Sequence, residues 1–293
     1  MYNLKTAVLY KKYENAANVF SLLKDELYAI VKGEPLALQA YGQTGTRHVG
    51  DIDVLISRNN LGKLISYLEN NGFRVSKVSR RDRIAALIYS HQILPYTKKS
   101  PTYGDVVIDI NYDIFWGEYE GKRINIDSFL ADTIEKSIYG ILVRILPPLK
   151  AMIQLVLHHY KDMNSIFLLA TRKSIRYEMF KDVYFLLKNN LKDITIERLY
   201  AMGVEYEIVP YIFYVLYYTG KIFHDEILNQ YIEAFKTKEG EKLLDCYGLC
   251  ENERKKWKCD FKFRLETNKT YDLIKGDLTE RDKEKIAFNQ QFF

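Results

Sequence analysis

The chain has 293 residues, of which 47% are hydrophobic and 28% are charged. This composition is that of a globular protein with a packed core, and the length suits one large domain or two smaller ones. Lysine and arginine number 43 against 38 for aspartate and glutamate, which gives a net charge of +5 that is spread along the chain. The charge therefore excludes a strongly basic nucleic-acid-binding arm and by itself indicates no partner.

We expect neither an export signal nor a membrane segment in this sequence. The N-terminal residues lack the continuous apolar stretch and the small-residue cleavage site of a signal peptide. The most apolar stretch, EIVPYIFYVLYYTG, is interrupted by Pro210 and is shorter than the roughly 20 residues that span a bilayer. The cysteines, Cys246, Cys250 and Cys259, suit reduced thiols better than a disulfide framework, and zinc would need a fourth ligand nearby. We therefore expect a cytoplasmic protein with no membrane partner.

The N-terminal part of the chain alternates helical and strand patterns. Apolar residues at helical spacing between residues 5 and 30 predict one or two helices. The run LYAIVKG predicts a strand that ends at Gly33, and Pro35 suits the first turn of a short helix, PLALQAY. After a loop that contains several glycines, YGQTGTRHVG, the run DIDVLIS predicts a second strand. Its alternation places Ile52, Val54 and Ile56 on one face and Asp51, Asp53 and Leu55 on the other.

The patterns change from mixed to helical along the chain. An amphipathic helix, NNLGKLISYLENNGF, is followed by two β-rich runs, AALIYSHQILPYT and GDVVIDINYDIFW, joined by the turn-prone KKSPTYG. From Pro147 onward helical patterns dominate, as in PPLKAMIQLVLHHYKD, YEMFKDVYFLLKNN and TIERLYAMG. The sequence therefore predicts an α+β protein, with a catalytic domain at residues 1–140 and a mainly helical domain at residues 141–293.

Two acidic residues stand out within the second predicted strand. Asp51 and Asp53 are two positions apart, so their side chains project from the same face within a few ångströms of each other. Like charges this close repel unless a cation lies between them, and Mg²⁺ or Mn²⁺ is the natural candidate because such ions take carboxylate oxygens. Asp109, in the apolar run VVIDIN, is the expected third acid, and Asp113 is the reserve on the same face of a regular strand.

The turn between the first strand and the short helix is a candidate phosphate site. Its sequence is KGEP, and the backbone N–H groups at a helix N-terminus attract anions. Lys32 and Arg47 add charge that can contact phosphate oxygens, and Arg47 can do so with two parallel hydrogen bonds. We therefore expect Lys32, Gly33 and Arg47 to bind the phosphates of a nucleoside triphosphate.

Together these segments resemble the nucleotidyltransferases of the DNA polymerase β superfamily, most closely the bacterial families of uncharacterised nucleotidyltransferases. The resemblance rests on Lys32-Gly33, the short helix after it, GTRHVGDIDVLIS and VVIDIN, and it covers roughly residues 28–116. It implies a mixed sheet with flanking helices and a helical C-terminal domain. It also implies transfer of a nucleoside monophosphate from an NTP to an acceptor hydroxyl, with release of pyrophosphate and with a divalent metal as cofactor.

The same resemblance implies individual roles for the residues of the motif. Asp51 and Asp53 would bind the metal, Asp109 would be the third acid and activate the acceptor hydroxyl, and Gly33 would lie at the nucleotide phosphates. The better-known superfamily members have Gly-Ser or Gly-Gly at this turn, whereas Glu34 follows Gly33 here. An acid beside a triphosphate is unfavourable. This departure from the family pattern therefore affects how phosphate would bind at this turn.

Several alternatives remain open from the sequence. The acceptor could be a small molecule such as an aminoglycoside, a protein side chain, or the end of a tRNA, as in the related abortive-infection toxins. A different class of function is a catalytically inactive module for nucleotide binding or toxin–antitoxin interaction. Other side chains have simpler explanations than catalysis: His48 and His91 as exposed or structural residues, His158 and His159 as favourable charges near a helix C-terminus, and Tyr41 and Tyr112 as packing residues close to the motif.

Overall fold

The computed structural model describes residues 4–47, 50–75, 79, 91–102, 104–116, 124–172 and 175–290. The described residues form two compact units, one up to Ala151 and the other from Met152 onward. The first unit contains the large sheet and the second is mainly helical.

A mixed sheet of seven strands forms the centre of the first unit, in the order β3-β4-β5-β2-β1-β7-β6. The pairs β1–β7 and β2–β5 are parallel, and the other neighbouring pairs are antiparallel. The α+β fold class predicted from the sequence is confirmed. The strands are β1 Tyr28–Val31, β2 Ile52–Ile56, β3 Arg74–Val75, β4 Tyr96–Lys98, β5 Val106–Asn111, β6 Ile134–Ile138 and β7 Ile141–Ile145.

The hairpin of β6 and β7 was not predicted from the sequence. Most of β6 is half-buried or exposed, so its residues carry little of the apolar alternation that identifies a strand. Its partner β7 nevertheless joins the sheet by pairing in parallel with β1, where Ile30 lies opposite Ile145. The domain boundary proposed after residue 140 lies in the turn between these two strands.

Helices cover one face of the sheet with an apolar core. The helix α1 contacts α3 as well as strands β5 and β7. Phe20 from α1 and Leu64 from α3 are fully buried in the same cluster as Val54 and Ile108 from the sheet. Burial of apolar surface in such a cluster is the main stabilising contribution to the unit. The helices that begin in this unit are α1 Leu4–Leu22, α2 Gly33–Tyr41, α3 Leu61–Asn70, α4 Ile126–Leu130 and α5 Pro148–Asn164.

The second unit is organised around its most apolar helix, α9, which contacts α7, α8, α10 and α11. This helix is the apolar stretch that contains Pro210, and the proline lies in its first turn, where no backbone N–H is needed. None of the helices in the described part of the chain has the length and apolar character needed to cross a membrane. The elements are α6 Ile166–Thr171, α7 Tyr177–Asn189, α8 Ile196–Glu205, α9 Val209–Gly220, α10 Glu226–Phe235, α11 Lys238–Leu243, β8 Cys246–Tyr247, β9 Lys255–Lys256, α12 Phe261–Glu266, α13 Thr270–Ile274 and α14 Glu280–Asn289.

The start of α10 offers a test of how this unit responds to pH. The Asp225 side chain caps the helix by accepting the backbone N–H of Leu228 at 3.1 Å, and it also accepts Lys188 Nζ at 2.6 Å and the Tyr184 hydroxyl at 3.1 Å. The bond from Lys188 and the cap hold the pKa of Asp225 below its usual value. A lowered pKa means that this stabilisation is complete above the pKa of the unfolded chain and is lost as the pH falls through the folded pKa.

We therefore expect Asp225→Ala to lower the free energy of unfolding by about 1 kcal/mol at pH 7, as for other lost caps, and by less at pH 3. Urea unfolding at the two pH values measures this difference. Asp225→Asn is the matched control, because asparagine keeps the cap and loses only the charge that pairs with Lys188. An equal loss at pH 7 and pH 3 for Asp225→Ala would contradict the electrostatic part of this account.

Candidate active site

The sheet brings two of the predicted acids side by side. Strands β2 and β5 are parallel neighbours, and their register places the Cα atom of Asp53 opposite that of Asp109. Ile52, Val54 and Ile108 belong to the core cluster, so the alternation of the strands directs both aspartates to the other face of the sheet. Asp51, one residue before β2, is half-buried, and Asp53 is only 9% exposed.

The buried, acidic surroundings of Asp109 raise the pKa of its carboxyl group. Burial, the nearby charges of Asp53 and Asp51, and a hydrogen bond with the Asp51 side chain together raise the pKa of Asp109 to about 7, although the charge of Lys32 opposes the rise. Desolvation and like charges both disfavour the ionised carboxylate. A cation among these carboxylates would offset the part of this shift that comes from their mutual repulsion.

Lys32 lies beside the acids, and its observed partner is an acid. Strand β1 ends at Val31, the register partner of Asp53, so the next residue in the chain is placed next to that aspartate. The Lys32 Nζ atom is 2.6 Å from Asp53 Oδ1, and the two side chains are only 18% and 11% exposed. The phosphate-binding role predicted for Lys32 stays a prediction.

The turn after β1 connects to the loop that contains Arg47. Helix α2 begins at Gly33, and Arg47 Nη1 donates a hydrogen bond of 3.3 Å to the Gly33 carbonyl oxygen. The structure therefore brings together two of the three residues predicted to bind phosphate, at the N-terminal end of a helix of nine residues.

Glu34 has a structural function that the sequence did not reveal. Its side chain is fully buried, and its Oε2 atom accepts the backbone N–H of Gly45 at 2.8 Å. Gly45 has a φ of +78°, and an added Cβ there would lie 3.1 Å from the Thr6 hydroxyl oxygen, so this position suits glycine. Through this hydrogen bond the Glu34 carboxylate stabilises the loop between α2 and β2.

Helix α1 contributes two residues that sequence reasoning missed. Lys12 Nζ donates a hydrogen bond of 2.7 Å to the carbonyl oxygen of Gly50, directly before Asp51. Tyr13 is buried near Glu34 and Asp53, and burial together with these charges raises the pKa of its hydroxyl. No local motif marks either residue, because their positions depend on how α1 packs against the sheet.

Other residues considered from the sequence lie elsewhere. Strand β5 ends at Asn111, so the regular strand alternation that the prediction for Asp113 relied on does not extend to that residue. The Asp113 side chain is buried and accepts the backbone N–H of Phe115 at 3.1 Å. Tyr112 is buried as well, and the Arg58 guanidinium lies over its ring.

The remaining histidine and tyrosine candidates divide between the units. His48 is outside the described residues. Tyr41 is the last residue of α2, and the carbonyl oxygen of His91 accepts the backbone N–H of Tyr112. His158 and His159 lie in the last two turns of α5, where His158 Nε2 is 3.5 Å from Asp162 Oδ2.

The acids fit a divalent metal by their chemistry, and binding would require some rearrangement. Three carboxylates on one side of a sheet are ligands that Mg²⁺ and Mn²⁺ accept, and the charges of Asp53 and Asp51 add to the effect of burial in raising the pKa of Asp109. Within the described ranges, however, no group of three or more His, Cys, Asp or Glu side chains has the spacing of a metal site. One oxygen of Asp53 is in contact with Lys32.

Carboxylates on adjacent parallel strands, next to a glycine turn at a helix N-terminus, are the arrangement expected of a nucleotidyltransferase. Residues 10–224 match the family described as uncharacterised nucleotidyltransferase. Because the match covers more than half of the chain, the protein belongs to this family, and the resemblance inferred from the sequence is confirmed. A search of curated proteins finds no match.

The solved structures that are similar to this chain include the following two. One is a crystal structure of ANT(2″)-Ia in complex with adenylyl-2″-tobramycin, with 13% sequence identity, coverage of 70% of this chain and 98% of that chain, and a TM-score of 0.37. The other is a solution structure of the antibiotic-resistance factor ANT(2″)-Ia, with 14% identity, coverage of 69% and 90%, and a TM-score of 0.35.

Proposed function

We propose that this nucleotidyltransferase moves a nucleoside monophosphate from an NTP to an acceptor hydroxyl, with release of pyrophosphate, in a reaction that depends on Mg²⁺ or Mn²⁺. The observation that carries the proposal is the register of Asp53 with Asp109, with Lys32, the residue before Gly33, in contact with Asp53. Family membership supports nucleotidyl transfer in general. The metal, the nucleotide and the acceptor are the proposed refinements.

Each residue of the site has a proposed task. Asp51, Asp53 and Asp109 would hold the metal, which would supply positive charge to the phosphates when bound. The backbone N–H groups at the start of α2 and the Arg47 guanidinium would bind and orient the phosphate oxygens. A carboxylate oxygen of Asp109 would take the proton of the acceptor hydroxyl. Such catalysis consists mainly of positioning and electrostatic stabilisation.

The direct experiment incubates the purified protein with each of the four α-³²P-labelled NTPs, Mg²⁺ or Mn²⁺, and acceptors from the three proposed classes. Covalent labelling of an acceptor with release of pyrophosphate, lost in Asp51→Ala, is the expected result. The three classes are small hydroxylated molecules, proteins and tRNA, and the labelled product identifies which one applies. Nucleotide binding without turnover would instead favour the inactive binding module, and absence of both binding and turnover would refute the proposal.

Arg47 provides a smaller and more specific test of nucleotide binding. We expect Arg47→Ala to weaken the binding of a non-hydrolysable NTP analogue by roughly ten- to a hundredfold, because a charge-assisted hydrogen bond to phosphate contributes about 1.5–3 kcal/mol. The affinity of Arg47→Lys for the analogue should lie between those of wild type and Arg47→Ala, since lysine keeps the charge but cannot donate two parallel hydrogen bonds. Calorimetric titration with the analogue measures these affinities. Equal affinity in all three proteins would remove Arg47 from the phosphate site.

A further inference from the structure

Lys32 occupies an unusual position relative to the acids of the site. Its ammonium group is 2.6 Å from Asp53 Oδ1, and its charge is one of the interactions that act on Asp109. In this structure an amino group of the chain therefore supplies positive charge where the proposed function requires a divalent ion. A lysine ammonium group and a divalent ion held at the same carboxylate repel each other, so each weakens the binding of the other.

The backbone of Lys32 is held in a conformation that favours glycine. Its φ is 55° and its ψ is −141°, a region that costs energy for any residue with a Cβ atom. Strand β1 fixes the chain on one side, and on the other side the Lys32 carbonyl oxygen accepts the backbone N–H of Leu36 at 2.9 Å in the first turn of α2. With the backbone held at both ends, the long side chain is the part that can change partner.

The same turn lies where the phosphates of the nucleotide are proposed to bind. Gly33, the residue after Lys32, begins α2 and accepts a hydrogen bond from Arg47. The side chain of Lys32 extends from this turn, so its ammonium group can reach Asp53 on one side and a bound polyphosphate on the other. Phosphate is the stronger partner for an ammonium group because a triphosphate carries several negative charges.

We propose that Lys32 exchanges between Asp53 and the nucleotide polyphosphate, so that tight binding of a divalent ion depends on a bound nucleotide. Without nucleotide, Lys32 neutralises Asp53 and competes with free Mg²⁺ or Mn²⁺. When polyphosphate is bound, Lys32 moves to its oxygens, and the oxygen of Asp53 becomes available to the ion. This inference rests on the proposed function and adds an order of binding to it.

The experiment measures Mn²⁺ affinity by electron paramagnetic resonance, with and without a non-hydrolysable NTP analogue. The phosphates of a bound analogue would themselves coordinate Mn²⁺, so the analogue would raise the Mn²⁺ affinity of every variant. The quantity that tests the exchange is therefore the Mn²⁺ affinity of the nucleotide-free protein. We expect Lys32→Met to bind Mn²⁺ roughly tenfold more tightly than wild type in the absence of nucleotide, equivalent to about 1.4 kcal/mol. In EDTA, the same variant should bind the analogue roughly tenfold more weakly, which is again about 1.4 kcal/mol.

Two further variants separate the proposed exchange from effects on folding. Lys32→Gly removes the ammonium group and also relieves the backbone conformation, so it should reproduce the gain in Mn²⁺ affinity in a fully folded protein. Lys99→Met is the control, because Lys99 forms a Lys–Asp pair of the same length, 2.6 Å, with Asp105 at the surface. That control should leave both affinities unchanged.

The outcomes distinguish this inference from the proposed function. If Mn²⁺ binds with the analogue and requires Asp53, but Lys32→Met and Lys32→Gly bind free Mn²⁺ no more tightly than wild type, the exchange is refuted and the proposed function stands. Unchanged affinity for the analogue in Lys32→Met also refutes the exchange, because Lys32 would then not reach the phosphates. If wild type binds neither Mn²⁺ nor the analogue, both proposals fail.

Discussion

Asp53→Asn is expected to reduce nucleotidyl transfer by about a hundred- to a thousandfold, which is the typical cost of removing one electrostatic group from a preorganised site. Asparagine preserves the size of the side chain and one oxygen, so the change removes charge with little effect on packing. Asp53 is buried between Lys32 and Asp109, where the charge interacts at short range with both neighbours. Single-turnover transfer of label from an α-³²P-labelled NTP measures the loss.

The control for Asp53→Asn is Asp105→Asn, at the residue directly before β5. Asp105 is paired with Lys99 at the surface, at the same 2.6 Å as the pair of Asp53 with Lys32. It carries no role in the proposed mechanism, so its substitution should leave transfer unchanged. Urea unfolding of both variants confirms that the comparison concerns folded proteins. Wild-type transfer rates in Asp53→Asn would exclude Asp53 from the reaction.

Glu34→Ala is expected to lower the free energy of unfolding by about 2–3 kcal/mol, because it removes a charge-assisted hydrogen bond and leaves a cavity. The lost partner is the backbone N–H of Gly45, which the Glu34 carboxylate accepts at 2.8 Å from a fully buried position. Since the loop from α2 to β2 also carries Arg47, its loosening should weaken the binding of an NTP analogue as well. Urea unfolding and calorimetric titration measure the two effects.

Glu34→Gln separates the hydrogen bond from the charge. The glutamine amide oxygen can still accept the Gly45 N–H, so this variant should lose less stability than Glu34→Ala. If both variants are equally destabilised, the negative charge matters more than the bond to the loop. If neither is destabilised, the bond seen between Glu34 and Gly45 does not hold the loop in solution.

The effect of Glu34 on phosphate binding depends on the direction of its side chain, which only the structure gives. Beside Gly33 in the sequence, an acid is unfavourable for a triphosphate. In the fold, its carboxylate binds the backbone of Gly45 inside the protein. A residue next to a motif in sequence can face away from it, because consecutive side chains in the first turn of a helix point in different directions.

Features that depend on residues a few positions apart could be predicted from the sequence. The spacing of Asp51 and Asp53, and the apolar residues that alternate with them, predicted the face of β2 that turns away from the core cluster. The strand, turn and short helix around Gly33 were predicted from apolar runs and from Pro35, and they lie at β1 and α2. Three of the C-terminal helices, α5, α7 and α8, were predicted from apolar residues at helical spacing. These features depend on residues a few positions apart, so a single sequence contains them.

Pairings of long range were decided by the tertiary structure. The sequence did not indicate that β7 would pair with β1, more than a hundred residues earlier in the chain, or that Lys32 would contact Asp53. The same holds for Lys12, which reaches Gly50 from α1. The sequence by itself determined which acids share a strand face and where glycine permits a turn, because backbone preferences and side-chain alternation are local. Only the tertiary structure decided which charges meet, because strand order and register set those distances.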